Sequence, residues 1–237
     1  MHGRARTAIM AAALLSLLGA CAGTGSTAGA GTPSSDESSA QTHDGLVLKP
    51  GTRADEVYVR PGATLSGYRQ YGLEPCQVAF RKNWMRDQNR DSIDLSSRVT
   101  QKDVDKIRDS LGAACDRYFR DALQQPSAYA LAESFDQGEA VLVIRPSIVN
   151  LDITAPDIMS AGNSRSYTTS AGEMTLYLEL LDGTTGEILV RVVDRQRALD
   201  TGTLQWSNGV TNRAEADRML KRWAGELREA LDSATGT

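Results

Sequence analysis

Apolar residues are distributed along the chain in three different ways. Residues 8–18 form a nearly unbroken apolar run, whereas Ala22 to Asp44 has no apolar period and consists mainly of Gly, Ser, Thr and Ala. From Leu46 onward the pattern switches between a period of two and one near 3.6, the signatures of half-buried strands and amphipathic helices. Val57 and Val59 lead weakly into the turn signal Arg60-Pro61-Gly62. Tyr71, Leu73, Cys76, Val78 and Phe80 predict a strand with an irregularity at Pro75. Thr100 with Asp103 makes a capping-box variant ahead of a helix whose stripe is Val104, Ile107, Leu111, Cys115, Tyr118 and Ala122. The opposite face carries Lys102, Lys106, Asp109, Asp116 and Arg120, and Pro126 closes the segment.

Glu139 to Asp152 reads as a strand, buried on both faces over Ala140-Val141-Leu142-Val143-Ile144. Thr154 to Ala171 is polar and reads as a long loop. Met174, Leu176, Leu178 and Leu180 then alternate with Glu173, Thr175, Tyr177 and Glu179, the clearest strand in the chain. Asp182-Gly183-Thr184-Thr185-Gly186 is a hairpin loop returning through Ile188, Val190 and Val192. Asn212 with Glu215 starts a last helix with the stripe Ala216, Leu220, Trp223, Leu227 and Leu231. The sum is an α+β two-layer sandwich of about four mainly antiparallel strands with two helices on one face.

The first twenty residues have the parts of a secretory signal: Arg4 and Arg6, then the apolar run, then Gly19-Ala20. A run of eleven residues, apolar except for Ser16, is too short to cross a hydrocarbon core of about 30 Å. Leu18-Gly19-Ala20-Cys21 resembles a bacterial lipobox, which implies cleavage before Cys21 and acylation of its thiol and freed amine. Several acyl chains, at about 0.8 kcal/mol per buried CH₂, give lasting attachment. Ala22, where Asp would signal retention, resembles the outer-membrane sorting pattern of enteric bacteria. The expected organisation is a signal peptide over 1–20, a lipidated cysteine and flexible tether over 21–45, and one periplasmic domain over 46–237. A tether of about 23 residues has a reach of roughly 25–30 Å.

Charge narrows the partners. The chain has a net charge of -4; removal of residues 1–20 takes Arg4 and Arg6 and leaves 24 basic against 30 acidic residues, or -6. A mildly acidic domain lacks the basic footprint of a nucleic-acid binder, and attachment to the membrane falls to the lipid on Cys21.

Candidate chemistry is sparse. His2 and His43 are the only histidines, so a folded part beginning at Leu46 has none, which removes histidine-based nucleophilic sites and most catalytic zinc sites. Asp87-Gln88-Asn89-Arg90-Asp91 begins like a calcium loop, but Ser92 replaces the required glycine and Arg98 stands where a bidentate Glu belongs. The glycines at 183 and 186 lack the lysine of a phosphate loop and are turn residues. No cofactor or metal is implied. Cys76 and Cys115 both fall on inward positions, where they either form a disulfide, as the periplasm allows, or pack as two reduced thiols. Trp84, Trp206 and Trp223 read as core, and Ile158, Met159, Arg165 and Tyr167 of the polar excursion either as a contact surface or as part of a tolerant disordered loop.

Tyr58-Val59-Arg60-Pro61-Gly62-Ala63 followed by Tyr68, Trp84, Glu179 to Glu187, Trp206-Ser207 and Trp223 together resemble an uncharacterised family of proteobacterial lipoproteins, domain-of-unknown-function family 3313. The resemblance spans about Leu46 to Asp232. It implies the same location and fold, and it brings no catalytic residues; Cys76 and Cys115 lie outside its pattern. The expectation is a non-enzymatic protein, lipid-anchored at the outer membrane and facing the periplasm, whose domain contacts another envelope component. The alternatives are a small-molecule or glycan-binding module and, behind it, an envelope hydrolase using paired carboxylates.

Overall fold

The structure is a computed structural model, and it describes residues 41–90, 92, 95–125, 129–132, 135, 140–156, 166–168, 170–199, 205–207 and 209–236. The strands are β1 (Val47–Leu48), β2 (Glu56–Val59), β3 (Gln70–Leu73), β4 (Gln77–Phe80), β5 (Ala130–Leu131), β6 (Val141–Ile153), β7 (Ser166–Thr168), β8 (Gly172–Asp182), β9 (Ile188–Arg197) and β10 (Gln205–Ser207). The helices are α1 (Trp84–Gln88), α2 (Gln101–Leu123) and α3 (Gly209–Thr235), with a 3-10 turn at Leu95–Ser97. Eight strands form one mixed sheet in the order β1-β2-β9-β8-β6-β3-β5, with β4 also against β6, while β7 and β10 make a separate pair.

The α+β class and the two helices on one face agree with the sequence pattern, but the strand count and direction do not. The sheet has eight strands, not about four, and β3, β4 and β5 pair in parallel. Strands of two to four residues, such as β1 and β5, are too short to show a period. The parallel pairing follows from α2 lying between β4 and β6 in the chain, since a crossover returns the next strand in the same direction.

The long central strand β6 organises the rest. Its inward residues Leu142, Ile144 and Ile148 are fully buried against α2 and α3, together with Leu176, Leu178 and Leu180 of β8. On its other edge β3 pairs with Val141–Ile144 and β4 with Ser147–Leu151. The gap between β3 and β4, around Pro75, falls opposite Pro146, which has no N–H to offer a neighbour. Asp116 of α2 accepts a hydrogen bond from the freed Cys76 N–H at 2.7 Å. Asp116 is therefore turned toward the sheet at this gap, although the helical pattern puts it on the solvent face.

Asn150, with φ 52°, makes a bulge in β6 that shifts its register against both neighbours. The extra residue resets the alternation so that Leu151 points inward while Asp152 reaches Arg81 at 2.6 Å. Opposite the bulge, Gly172 has φ +136°, and a Cβ there would lie 2.0 Å from the Asp152 carbonyl oxygen, so only glycine fits.

The two helices are built as their patterns predict. Thr100 caps α2 through a full capping box with Asp103. Leu111, Cys115 and Ala122 are buried, as is Phe119, which takes the place assigned to Tyr118 in the stripe. In α3, Leu220, Trp223, Leu227 and Leu231 are buried, joined by Met219 and Ala224, but the helix begins at Gly209, ahead of Asn212.

Candidate functional site

Helices lie about 8–10 Å apart and strands about 4.8 Å apart, so two helices cover roughly four strands. The eight-stranded sheet therefore has more surface than the helices can cover. This leaves three features that could serve function: the helix-free face, and two clefts on the helical side.

The helix-free face is a ladder of charge. Glu179 of β8 stands between Arg145 of β6 and Arg191 of β9, at 3.6 and 2.9 Å. Arg145 also holds Glu74 at 2.6 Å, and Arg191 holds Asp44 at 2.6 Å. The run Glu74–Arg145–Glu179–Arg191–Asp44 alternates in sign across the strands, and the Arg191 side chain is only 11% exposed. Arg191 holds the Asp44 carboxyl well below the usual carboxylate range, chiefly through its hydrogen bond. The N-terminal segment is thus fastened to the domain at Asp44 and by Leu46, which is fully buried. A small apolar patch of Val141, Val143, Leu181, Phe135 and Ile188 completes this face.

The second buried carboxylate is Asp194 of β9, 3% exposed. It accepts hydrogen bonds from Trp223 Nε1 at 2.7 Å, the Asp55 N–H at 3.1 Å and Gln196 Nε2 at 2.7 Å. These bonds tie α3 and the approach to β2 to one strand. Both buried carboxylates are engaged by neighbouring donors.

One cleft, of about 680 Å³, lies between the second half of α3 and the inner face of β9 and β2, with Val57, Val59, Val190 and Val192 among its lining. An ion pair between Arg53 and Glu229 joins the loop before β2 to α3 at this cleft. The larger cleft, about 790 Å³, opens between the first halves of α2 and α3 over the far end of β6 and β8. Its floor includes Leu111, Leu151, Met174 and Met219, and no aromatic residue lines it among the described residues.

The structure joins Cys76 and Cys115 in a disulfide with Cα atoms 6.1 Å apart. Cys21, Ile158, Met159 and Arg165 lie outside the described residues. Tyr167 is in β7, directly opposite Trp206 of β10 in the separate two-stranded pair. Part of the excursion expected to be loop is therefore strand. Trp84 and Trp223 are core residues, 1% and 2% exposed.

The calcium-like segment has other work. Asp87 is gripped by Arg81 at 2.8 Å and by Arg86 and Arg90 at 3.0 Å, which lowers its pKa to about 2, Arg81 contributing most. Asn89 takes the Val99 backbone with both ends of its amide, at 2.8 and 2.9 Å. Among the described residues no group of three or more His, Cys, Asp or Glu is arranged to hold a metal ion. Sequence reasoning missed the ladder and Asp194, since their partners come from distant strands. It also missed the larger cleft, which lies between two helices whose stripes were each read alone.

A model of a family described as "Protein of unknown function (DUF3313)" matches residues 39–227. No curated protein matches the chain. Among solved structures, a point variant of the PelC dodecamer from Paraburkholderia phytofirmans aligns at a TM-score of 0.35 and 10% identity, covering 73% of this chain and 95% of that one. The PelC dodecamer from the same organism in another crystal form aligns at 0.35 and 8%, covering 73% and 96%. Likeness this slight carries no argument about fold or function. No described helix is long and apolar enough to cross a membrane.

Proposed function

Because the chain belongs to the DUF3313 family of proteins of unknown function, we propose a role drawn from its own residues: a lipid-anchored periplasmic domain of non-catalytic binding or structural function that contacts another envelope component. The observation that carries the non-catalytic reading is the engagement of Glu179 and Asp194. A glycoside hydrolase built on carboxylates needs two of them facing one open site, one to protonate the leaving group and one to act as base or nucleophile. Here one sits between two arginines and the other is saturated by three donors. The absence of histidine from residues 46–237 points the same way. A glycan platform gains no support from the larger cleft, which has no aromatic floor for a sugar ring to stack on among its described lining.

Anchoring rests on Leu18-Gly19-Ala20-Cys21 and the outer-membrane address on Ala22. For the contact surface we favour the β7–β10 pair, which stands apart from the main sheet and sets Tyr167 opposite Trp206. The test is in cells: a photo-crosslinking amino acid at position 167 of the full-length protein captures one defined envelope partner. The same probe at Arg108, on the exposed face of α2, does not. Equal capture of abundant neighbours from both positions overturns the contact reading. Cys21→Ala protein that still fractionates with the membrane, with wild type taking up no palmitate, overturns the anchor.

A further inference from the structure

The larger cleft has an uneven electrostatic lining. Each of its five carboxylates is engaged. Asp152 pairs with Arg81, Glu173 with Arg195 and Arg197, and Glu215 with Arg218, all arginines from outside the lining. Asp103 is taken by the Thr100 cap at 2.9 and 2.6 Å, and Asp217 faces Arg117 across the cleft at 3.7 Å. The cations fare differently: Lys102, Lys106 and Arg213 line the same cleft, and none has an acid within ion-pair distance among the described residues. Asp152, Glu173 and Glu215 are thus paired with arginines behind the cleft and Asp217 with Arg117 within it, Asp103 stays charged beside Lys102 and Lys106, and all three unpaired cations stand on the helical walls.

Below that charge the cleft is apolar, reaching Leu111, Leu151, Met174 and Met219 of the core. A second, independent observation concerns exposed hydrophobics. Four large apolar residues are exposed among those described, and one of them lines this cleft. That residue is Leu95, 75% exposed, in the 3-10 turn ahead of α2. A large exposed apolar residue beside a concave apolar floor adds to the surface a ligand can cover. The volume of about 790 Å³ is in the range of sites that enclose a small molecule.

From these features we infer that the cleft between α2 and α3 binds a single-chain anionic amphiphile, a fatty carboxylate. Its acyl chain lies along Leu111, Met174 and Met219, and its headgroup meets Lys102, Lys106 and Arg213. Charge favours the headgroup: a carboxylate meets three exposed cations at the rim, an attraction that a neutral chain of the same length lacks. The inference goes beyond the envelope-contact role and is independent of Cys21, so either can fail alone.

The experiment uses the purified full-length chain with phosphatidylcholine nanodiscs and a palmitate carrying a diazirine on its chain. After irradiation and digestion, crosslinks are expected on peptides containing Leu111, Met174 or Met219. The corresponding diazirine alcohol should label these peptides about tenfold less, a difference of about 1.4 kcal/mol. The double variant Lys106→Glu, Arg213→Glu should lose labelling to a similar extent with an unchanged melting curve, and Lys82→Glu should keep it. Labelling indifferent to headgroup and rim charge overturns the inference, as does labelling confined to the Val57–Val190 cleft or none at all. Labelling obtained only from a diazirine phosphatidylglycerol within the nanodisc also overturns it, because the cleft would then be lying against a bilayer instead of enclosing one chain.

Discussion

At the scale of single residues, Asn150 shows how one backbone angle decides which side chains enter the core. A non-glycine residue at φ 52° is tolerated best as Asn or Gly and costs about 1–2 kcal/mol for others. The side chain is exposed, so substitution reads the backbone and little else. Asn150→Gly should leave the denaturation midpoint almost unchanged, whereas Asn150→Val should lower stability by about 1–2 kcal/mol. Equal stability of both would mean that the bulge is not needed to turn Leu151 inward. The slip was not legible in the sequence, where residues 139–152 read as one uninterrupted strand; the inward turn of Leu151 beside Ile148 is what reveals it. Asp194 was not visible, because the Asp55 N–H lies 139 residues away and Trp223 29. Tyr68 is of the same kind: its hydroxyl donates to Asp182 at 2.8 Å, and burial, then that bond, push its pKa from 10.0 up to about 12. A raised pKa means stability that is complete below the unfolded value and lost as pH climbs through the folded one. Unfolding measured between pH 10 and about 12 should therefore show a steeper loss for the wild type than for Tyr68→Phe.

At the scale of elements, the prolines and cysteines belong to one arrangement. Pro75 and Pro146 interrupt the ladder at the same level of the sheet, a weak point that α2 answers with Asp116 and with Cys115 bonded to Cys76. The bridge closes a loop of 39 residues and should stabilise by about 3–4 kcal/mol, mostly by restricting the unfolded chain. Thiol labelling of the unfolded, unreduced protein should leave both cysteines unmodified. The Cys76→Ser, Cys115→Ser variant should match reduced wild type in its urea midpoint. Two labelled cysteines would sink the bridge and leave Asp116 as the only clasp at the gap. The Thr100 cap, the broken strand at Pro75 and the hairpin at Asp182 were legible because each is written in contiguous residues, whereas the start read at Asn212 falls inside α3. The short strands and the parallel pairings were not, because they are stabilised by what lies beside them.

At the scale of the whole molecule, the charged residues serve mainly to hold elements to one another, and this fixes the response to acid. Asp44, Asp87, Asp103, Asp182 and Asp232 all titrate below the ordinary value of 3.8, held there first by Arg191, Arg81, Thr100, Tyr68 and Tyr129 respectively. Lowered folded-state values give stability that is present above the unfolded pKa and disappears as pH falls through the folded one. The urea midpoint should accordingly be flat near pH 6, begin to fall at about 4 and go on falling to about 2. Below that range the 26 Lys and Arg residues repel one another without compensation. Arg81 is the most informative place to test this, because it joins Asp87 of α1 to Asp152 at the end of β6. Arg81→Gln should lower the midpoint near neutrality, and its curve should meet that of the wild type as Asp87 is protonated, toward pH 2. A gap between the two curves that stays constant down to pH 2 would mean that Arg81 acts through packing of its stem. The large cleft shows the same division of charge: Asp152, Glu173 and Glu215 are held by arginines outside it and Asp217 by Arg117 within it, while Lys102, Lys106 and Arg213 remain available to a ligand.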